Sequence, residues 1–340
     1  MKVSIKKVKG FTLLEIFISL AIGLFIFAGV MSVFVGLRTT TEETASYGEM
    51  QENGRLAMSI ITEDLMRTGF WGDMSGDLTT ALLTENATPA LRPSMAAGAE
   101  CAGDGLNNGT FPADNGHFRV IWGTRTPANG TDPTPFSCAG IVANDGTDAI
   151  QIKRVLAQPE AGALSGNRFY FAANGNFGTI FSGAAALADI PEVENAQTWE
   201  YQHHLYYIAD SAQGVPELRR ASLSIPGAAG WIGNIDSVEL VEGIENMRFL
   251  YGVDDDDDGV VDAYVPEDVM TAAQWDNNAP NKIISVQVFI LVREILPDPR
   301  YQNTNTYNLG DIAINANDNF RRLLFSSTVV LHNTRTEIWE

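Results

Sequence analysis

The sequence is poor in the residues on which most enzyme chemistry depends. Its 340 residues include four histidines, two cysteines, and 22 lysines and arginines against 42 aspartates and glutamates. A formal charge of −20 argues against direct contact with nucleic acid, because such a body repels phosphate backbones and anionic headgroups. His117, His203, His204 and His332 show no H-E-x-x-H or comparable ligand spacing. On a strand, His203 and His204 point to opposite faces and cannot easily share one metal. A G-x-S-x-G elbow, a P-loop, a dinucleotide fingerprint and internal repeats are all missing. These absences predict a structural or interaction protein rather than an enzyme.

One stretch lacks charge altogether. From Ile16 to Leu37 there are 22 uncharged, mostly apolar residues, which as a helix span about 33 Å and match a hydrocarbon core of about 30 Å. Glu15 sits at the edge of this run, where a carboxylate costs several kcal/mol without a partner. Before it, Lys2, Lys6, Lys7 and Lys9 form a basic leader that ends at Gly10, a residue small enough for a scissile position. Cleavage there would create an amino terminus at Phe11 and leave 42 − 18 = 24 excess negative charges. An ordinary secretory signal is cut after its apolar segment, whereas this candidate site precedes it. The lysines keep their end cytoplasmic, so the chain beyond Leu37 is expected on the far side of the membrane. In an oxidising compartment Cys101 and Cys138 are expected to form a disulfide, the alternative being two buried thiols.

The segment GFTLLE after a short basic leader resembles the prepilin-peptidase site of type IV pilins and type II secretion pseudopilins. The resemblance implies cleavage between Gly10 and Phe11 and methylation of the new amine. It also implies that Glu15 faces the positive terminus of a neighbouring subunit during filament assembly. The amine stays cationic at neutral pH, and a head-to-tail pairing that does not close builds a helical filament. The stretch QENGRLAMSIITEDLMRTGFWG resembles the second half of the long helix in PilW-type minor pilins, relatives of the pseudopilin J subfamily. ELVEGIENMRFLYGVD, SVQVFILVRE and FRRLLFSSTVVLHNTR resemble their closing strands.

These readings give an α+β, type IV pilin-like fold. Residues 1–10 are the leader, 11–37 the membrane and filament-core half of one long helix, and 38–69 its amphipathic half with a stripe at Leu56, Ile60, Ile61 and Leu65. Residues 70–340 are an extracytoplasmic, mainly antiparallel β head packed on that helix, with a loop-rich insertion at about 73–146 holding both cysteines. Gly23, Gly29, Gly36, Gly48 and Gly54 each weaken the helix by up to about 1 kcal/mol, which suits either bending or close helix packing. The implied role is a minor pilin of a priming or tip complex, placed in the inner membrane with a periplasmic head and later at the pilus tip. Its implied partners are other minor pilins, the major pilin, a tip adhesin, the inner-membrane platform, the assembly ATPase and the prepilin peptidase. The alternatives are a type II secretion pseudopilin of the J class and a membrane-anchored calcium-dependent adhesin.

Asp254 to Asp258 are five consecutive aspartates followed by Gly259. Only the register Asp254, Asp256, Asp258, Gly259 spells D-x-D-x-D-G, which converges carboxylates on a hard cation. Calcium held by Asp254, Asp256, Asp258 and Asp262, with the Val260 carbonyl, is the expectation, against the alternative of a solvated acidic turn. The twelfth position is Val265 rather than Glu, so a calcium-stabilised hairpin is predicted instead of an EF-hand.

Overall fold

The computed structural model describes residues 10–74, 93–101, 108–112, 117–127, 138, 140–175, 177–184, 195–226, 231–278 and 280–335. The basic leader therefore lies outside the described residues. Two compact units, Met1–Glu49 and Met50–Glu340, each contain part of one helix, α1 (Leu13–Met66). In the first unit every large apolar side chain from Leu13 to Leu37 is exposed. Among the described residues α1 alone is long and apolar enough to cross a membrane.

In the second unit the helix buries Met50, Ala57, Ile61 and Leu65, a spacing that keeps them on one face. The expected stripe is thus shifted at its start, because Leu56 is 47% exposed and Ala57 takes the inward position. Small residues win here because the helix lies close to the sheet. A side chain at Gly54 would put its Cβ 2.1 Å from the Phe325 ring. Close packing therefore explains Gly54, whereas Gly23, Gly29, Gly36 and Gly48 have nothing within 4 Å. The helix ends at Met66, and Asn333 near the other end of the chain donates to the Thr68 carbonyl at 3.1 Å, meeting acceptors that a helix terminus leaves open.

The head is mainly antiparallel, as expected, but it is divided into two large sheets and a hairpin. The first sheet contains β1 (Ser94–Met95), β2 (Ile121–Arg125), β3 (Asp148–Val155), β4 (Phe169–Ala173), β5 (Gly178–Ser182), β6 (Gln197–Asp210), β7 (Pro216–Ser224) and β8 (Ile232–Glu242). Its order is β1-β8-β7-β6-β3-β2, with β4 pairing β6 and β5 pairing β4. Among the described strands only β1 and β8 pair in parallel. The second sheet is β10-β9-β11-β14, formed by β9 (Ile244–Asp254), β10 (Ala263–Val265), β11 (Lys282–Arg293) and β14 (Arg322–Val330). β9 also lies against β3, β6 and β7 of the first sheet. The short helix α2 (Ala272–Trp275) precedes β11, and β12 (Thr306–Leu309) with β13 (Ile312–Asn315) forms the hairpin.

Strands at 149–155, 168–172, 205–208, 218–221, 238–241, 246–251, 283–292 and 323–331 are legible in the sequence and all fall on observed strands, which extend most of them by a few residues. The strand expected from His117 to Trp122 begins instead at Ile121. Phe118 and Val120 are buried before it, so apolar burial continues beyond the ladder. β5 and the β12–β13 hairpin lack the long β-branched runs that reveal the others.

Candidate assembly site and candidate calcium loop

Gly10 and Phe11 are non-helical, and Phe11 is 85% exposed, so their peptide bond lies outside the hydrogen-bonded helix. Thr12 and Glu15 then form a capping box. The Glu15 N–H donates to Thr12 Oγ1 at 3.3 Å, while Thr12 N–H and Oγ1–H both donate to Glu15 Oε2 at 2.9 and 3.0 Å. This satisfies backbone donors that a helix start leaves free. The pattern Thr-x-x-Glu that spells this capping box is present in the sequence. Both Thr12 donors meet Oε2, and among the described residues no protein group binds Oε1. Glu15 is the only charge along a shallow face running from Phe11 past the small residues Ser19 and Gly23 to Phe27.

The acidic loop closes the hairpin between β9 and β10, whose register pairs Val253 with Ala263. Asp254 is buried at its base. Its Oδ1 accepts the Asp257 N–H at 2.7 Å and its Oδ2 the Gly259 N–H at 2.8 Å. Desolvation opposes its ionisation, but backbone donation from Gly259, Asp257, Asp256 and Asp258 prevails and lowers its pKa. The turn requires positive φ at Asp257 (64°) and Gly259 (81°), and glycine adopts such a conformation without steric cost.

Asp254, Asp256 and Asp262 present carboxylate oxygens that all lie within 4.8 Å of one another. Asp258 is not in this group, and its Oδ1 accepts the Val260 N–H at 2.8 Å. The structure therefore assembles three of the four predicted ligands. The intervening aspartates are engaged elsewhere: Asp257 pairs with Lys282 at 2.6 Å and Asp255 accepts from Gln274 Nε2 at 3.1 Å. Repulsion from Asp258, then from Asp262 and Asp254, raises the Asp256 pKa. Carboxylates that converge and repel one another fit the donor chemistry of a hard divalent cation.

Cys101 and Cys138 are disulfide-bonded and buried. Much of the 73–146 insertion around them lies outside the described residues. The two adjacent histidines face apart, as their strand position requires. His204 Nδ1 meets Asp64 Oδ2 at 2.6 Å, whereas His203 Nδ1 meets Thr110 Oγ1 at 3.1 Å. Burial, then the Lys153 charge, pushes the His203 pKa well down.

Sequence reading missed the charges buried inside the head. Asp64 on α1 accepts from Arg154 Nε at 2.6 Å and from Tyr206 Oη at 2.8 Å, besides its contact with His204. These bonds fasten the helix to β3 and β6. Arg248 on β9 contacts Asp148 of β3 at 2.8 Å, Asp311 of the β12–β13 turn at 2.7 Å, and Glu267. From Arg248, Glu267 lies 19, Asp311 63 and Asp148 100 residues away in sequence, so no local motif announces the cluster.

No curated protein and no solved structure matches the chain. Residues 205–333, the stretch from within β6 past β14, match the family model described as Type IV Pilus-assembly protein W, a likeness that supports a type IV pilus protein of the PilW family.

Proposed function

We propose that the chain is a minor pilin, cut between Gly10 and Phe11, that joins the priming or tip complex of a type IV pilus. The observation that carries this reading is the start of α1. Seventeen large apolar side chains from Leu13 to Leu37 are exposed, and they are led by one carboxylate whose Oε1 has no protein partner among the described residues. A neighbouring subunit's methylated amine supplies the cation, while lipid and then other helices cover the apolar face. The head stays in the periplasm and the helix in the inner membrane until assembly. Partners are drawn from other minor pilins, the major pilin, a tip adhesin, the assembly platform and the peptidase. A type II secretion pseudopilin of the J class would use the same helix start.

The test is the mass of the membrane-extracted chain together with filament incorporation of Glu15→Ala. An N-methylated Phe11 terminus with Glu15→Ala processed but excluded from filaments is the expected pair of results. A native chain that retains residues 1–10 in assembled pili overturns the proposal.

Calcium in the β9–β10 loop is part of the same reading. Asp254, Asp256 and Asp262 would hold it, and its charge would neutralise the repulsion among them and stiffen the hairpin.

A further inference from the structure

The head contains a cavity of about 780 Å³ bordered by six consecutive residues, 122–127, and by the segment from Glu267 to Trp275. Side chains alternate along a strand, so a wall made of consecutive residues is a backbone edge. Among the described residues β2 is the last strand of its sheet and pairs only with β3. Lys153 N–H donates to the Val120 carbonyl and Thr126 N–H to the Thr147 carbonyl. In an antiparallel ladder alternate residues face the same neighbour. Residues 120, 122, 124 and 126 therefore bond to β3, while Gly123 and Arg125 direct their N–H and C=O groups away from it.

Among the described residues those outward groups meet no protein partner, although Gly123 is buried. Buried backbone donors and acceptors are nearly always paired, so this edge is built to be completed. A side chain at Gly123 would place its Cβ 1.8 Å from Tyr251 Oη, which keeps the strand slim where the cavity approaches it.

We propose that this groove receives an extended, basic peptide segment that adds a strand to β2, main chain bonded to Gly123 and Arg125. The electrostatics select the sign. Arg119 is neutralised by Asp276 at 2.6 Å, and Arg125 lies in the field of Asp311. Glu267 shares one guanidinium with two other carboxylates, leaving Glu267 and Asp268 as surplus negative charge on the opposite wall. A second copy of this chain, at −20, has the wrong sign. Trp122 and Trp275 supply apolar walls for the side chains between the basic ones. Strand addition to an open edge takes affinity from the main chain and specificity from such flanking pockets.

The test uses full-length protein in detergent micelles and a fluorescein-labelled nonapeptide alternating valine with lysine. Binding should protect the amides of residues 121–126 from hydrogen exchange. Replacing the lysines with glutamates should weaken binding at least about tenfold, as should Glu267→Gln combined with Asp268→Asn. N-methylation at odd or at even peptide positions separates strand pairing from charge attraction, because only one of the two sets faces β2. One isomer should lose binding and the other keep it. Equal binding by both isomers, protection confined to other segments, or no binding at millimolar peptide overturns the proposal.

Discussion

At the scale of single residues, similar sequence signals have different physical causes. Five glycines along the helix look alike in sequence, yet only Gly54 faces a ring close enough to forbid a side chain. Gly54→Ala forces Phe325 or the helix to move, at a cost of about 1–3 kcal/mol, which exceeds the helix-propensity gain of up to about 1 kcal/mol. Thermal unfolding of the full chain in detergent should show Gly54→Ala destabilised and Gly48→Ala unchanged or stabilised. Asp64 offers a second residue-scale test. Burial works against its ionisation, but the His204 hydrogen bond, followed by the charges of His204 and Arg154, prevails and depresses its pKa. Its stabilisation is therefore complete above the ordinary aspartate pKa of about 3.9 and is lost as pH falls below it. Asp64→Asn should cost about 3–5 kcal/mol at neutral pH, the usual effect of breaking a buried pair, and proportionally less at pH 3. An equal loss at both pH values contradicts the charge-based account.

At the scale of elements, legibility follows the distance over which the information is carried. The strands with β-branched runs could be read from period and propensity, and D-x-D-x-D-G marked the acidic loop within a few residues. Which carboxylates converge could not be read so directly, because the β9–β10 hairpin brings Asp262 back beside Asp254 while the turn directs Asp258 to its own backbone. β12 and β13 did carry a signal, the dipeptide Gly310-Asp311 between two short runs, which is a two-residue hairpin spelling. Only the start of the helix stripe departs from expectation, because hydrophobicity alone favours Leu56 over Ala57, whereas close packing favours the smaller side chain. The loop yields an element-scale prediction. Calcium should raise the melting temperature of the wild-type chain, Asp256→Asn with Asp262→Asn should abolish that rise, and Asp258→Asn should retain most of it. If Asp258→Asn alone removes the shift, the ligand set is not the one the hairpin assembles.

At the scale of the whole head, the largest unknown from sequence was how two sheets and a hairpin are held together, since the contacts join residues up to 100 positions apart. Arg248, 1% exposed, makes those contacts by meeting Asp148, Glu267 and Asp311. Three carboxylates around one guanidinium leave surplus negative charge. Burial, then Glu267, raises the Asp148 pKa to about 7. The sign follows from linkage: a carboxyl that holds its proton more tightly when folded adds stability below its unfolded pKa of about 3.9, and that contribution is lost as pH rises toward about 7. Replacing Arg248 removes the guanidinium that contacts all three carboxylates. Arg248→Met should therefore destabilise the head by about 3–5 kcal/mol near neutral pH, and by less at pH 5, where protonation of Asp148 relieves part of the repulsion. Denaturant unfolding at the two pH values measures the difference. Because apolar packing of the substituted methionine is the same at both, a smaller loss at pH 5 isolates the electrostatic role of Arg248 as the clamp between the sheets.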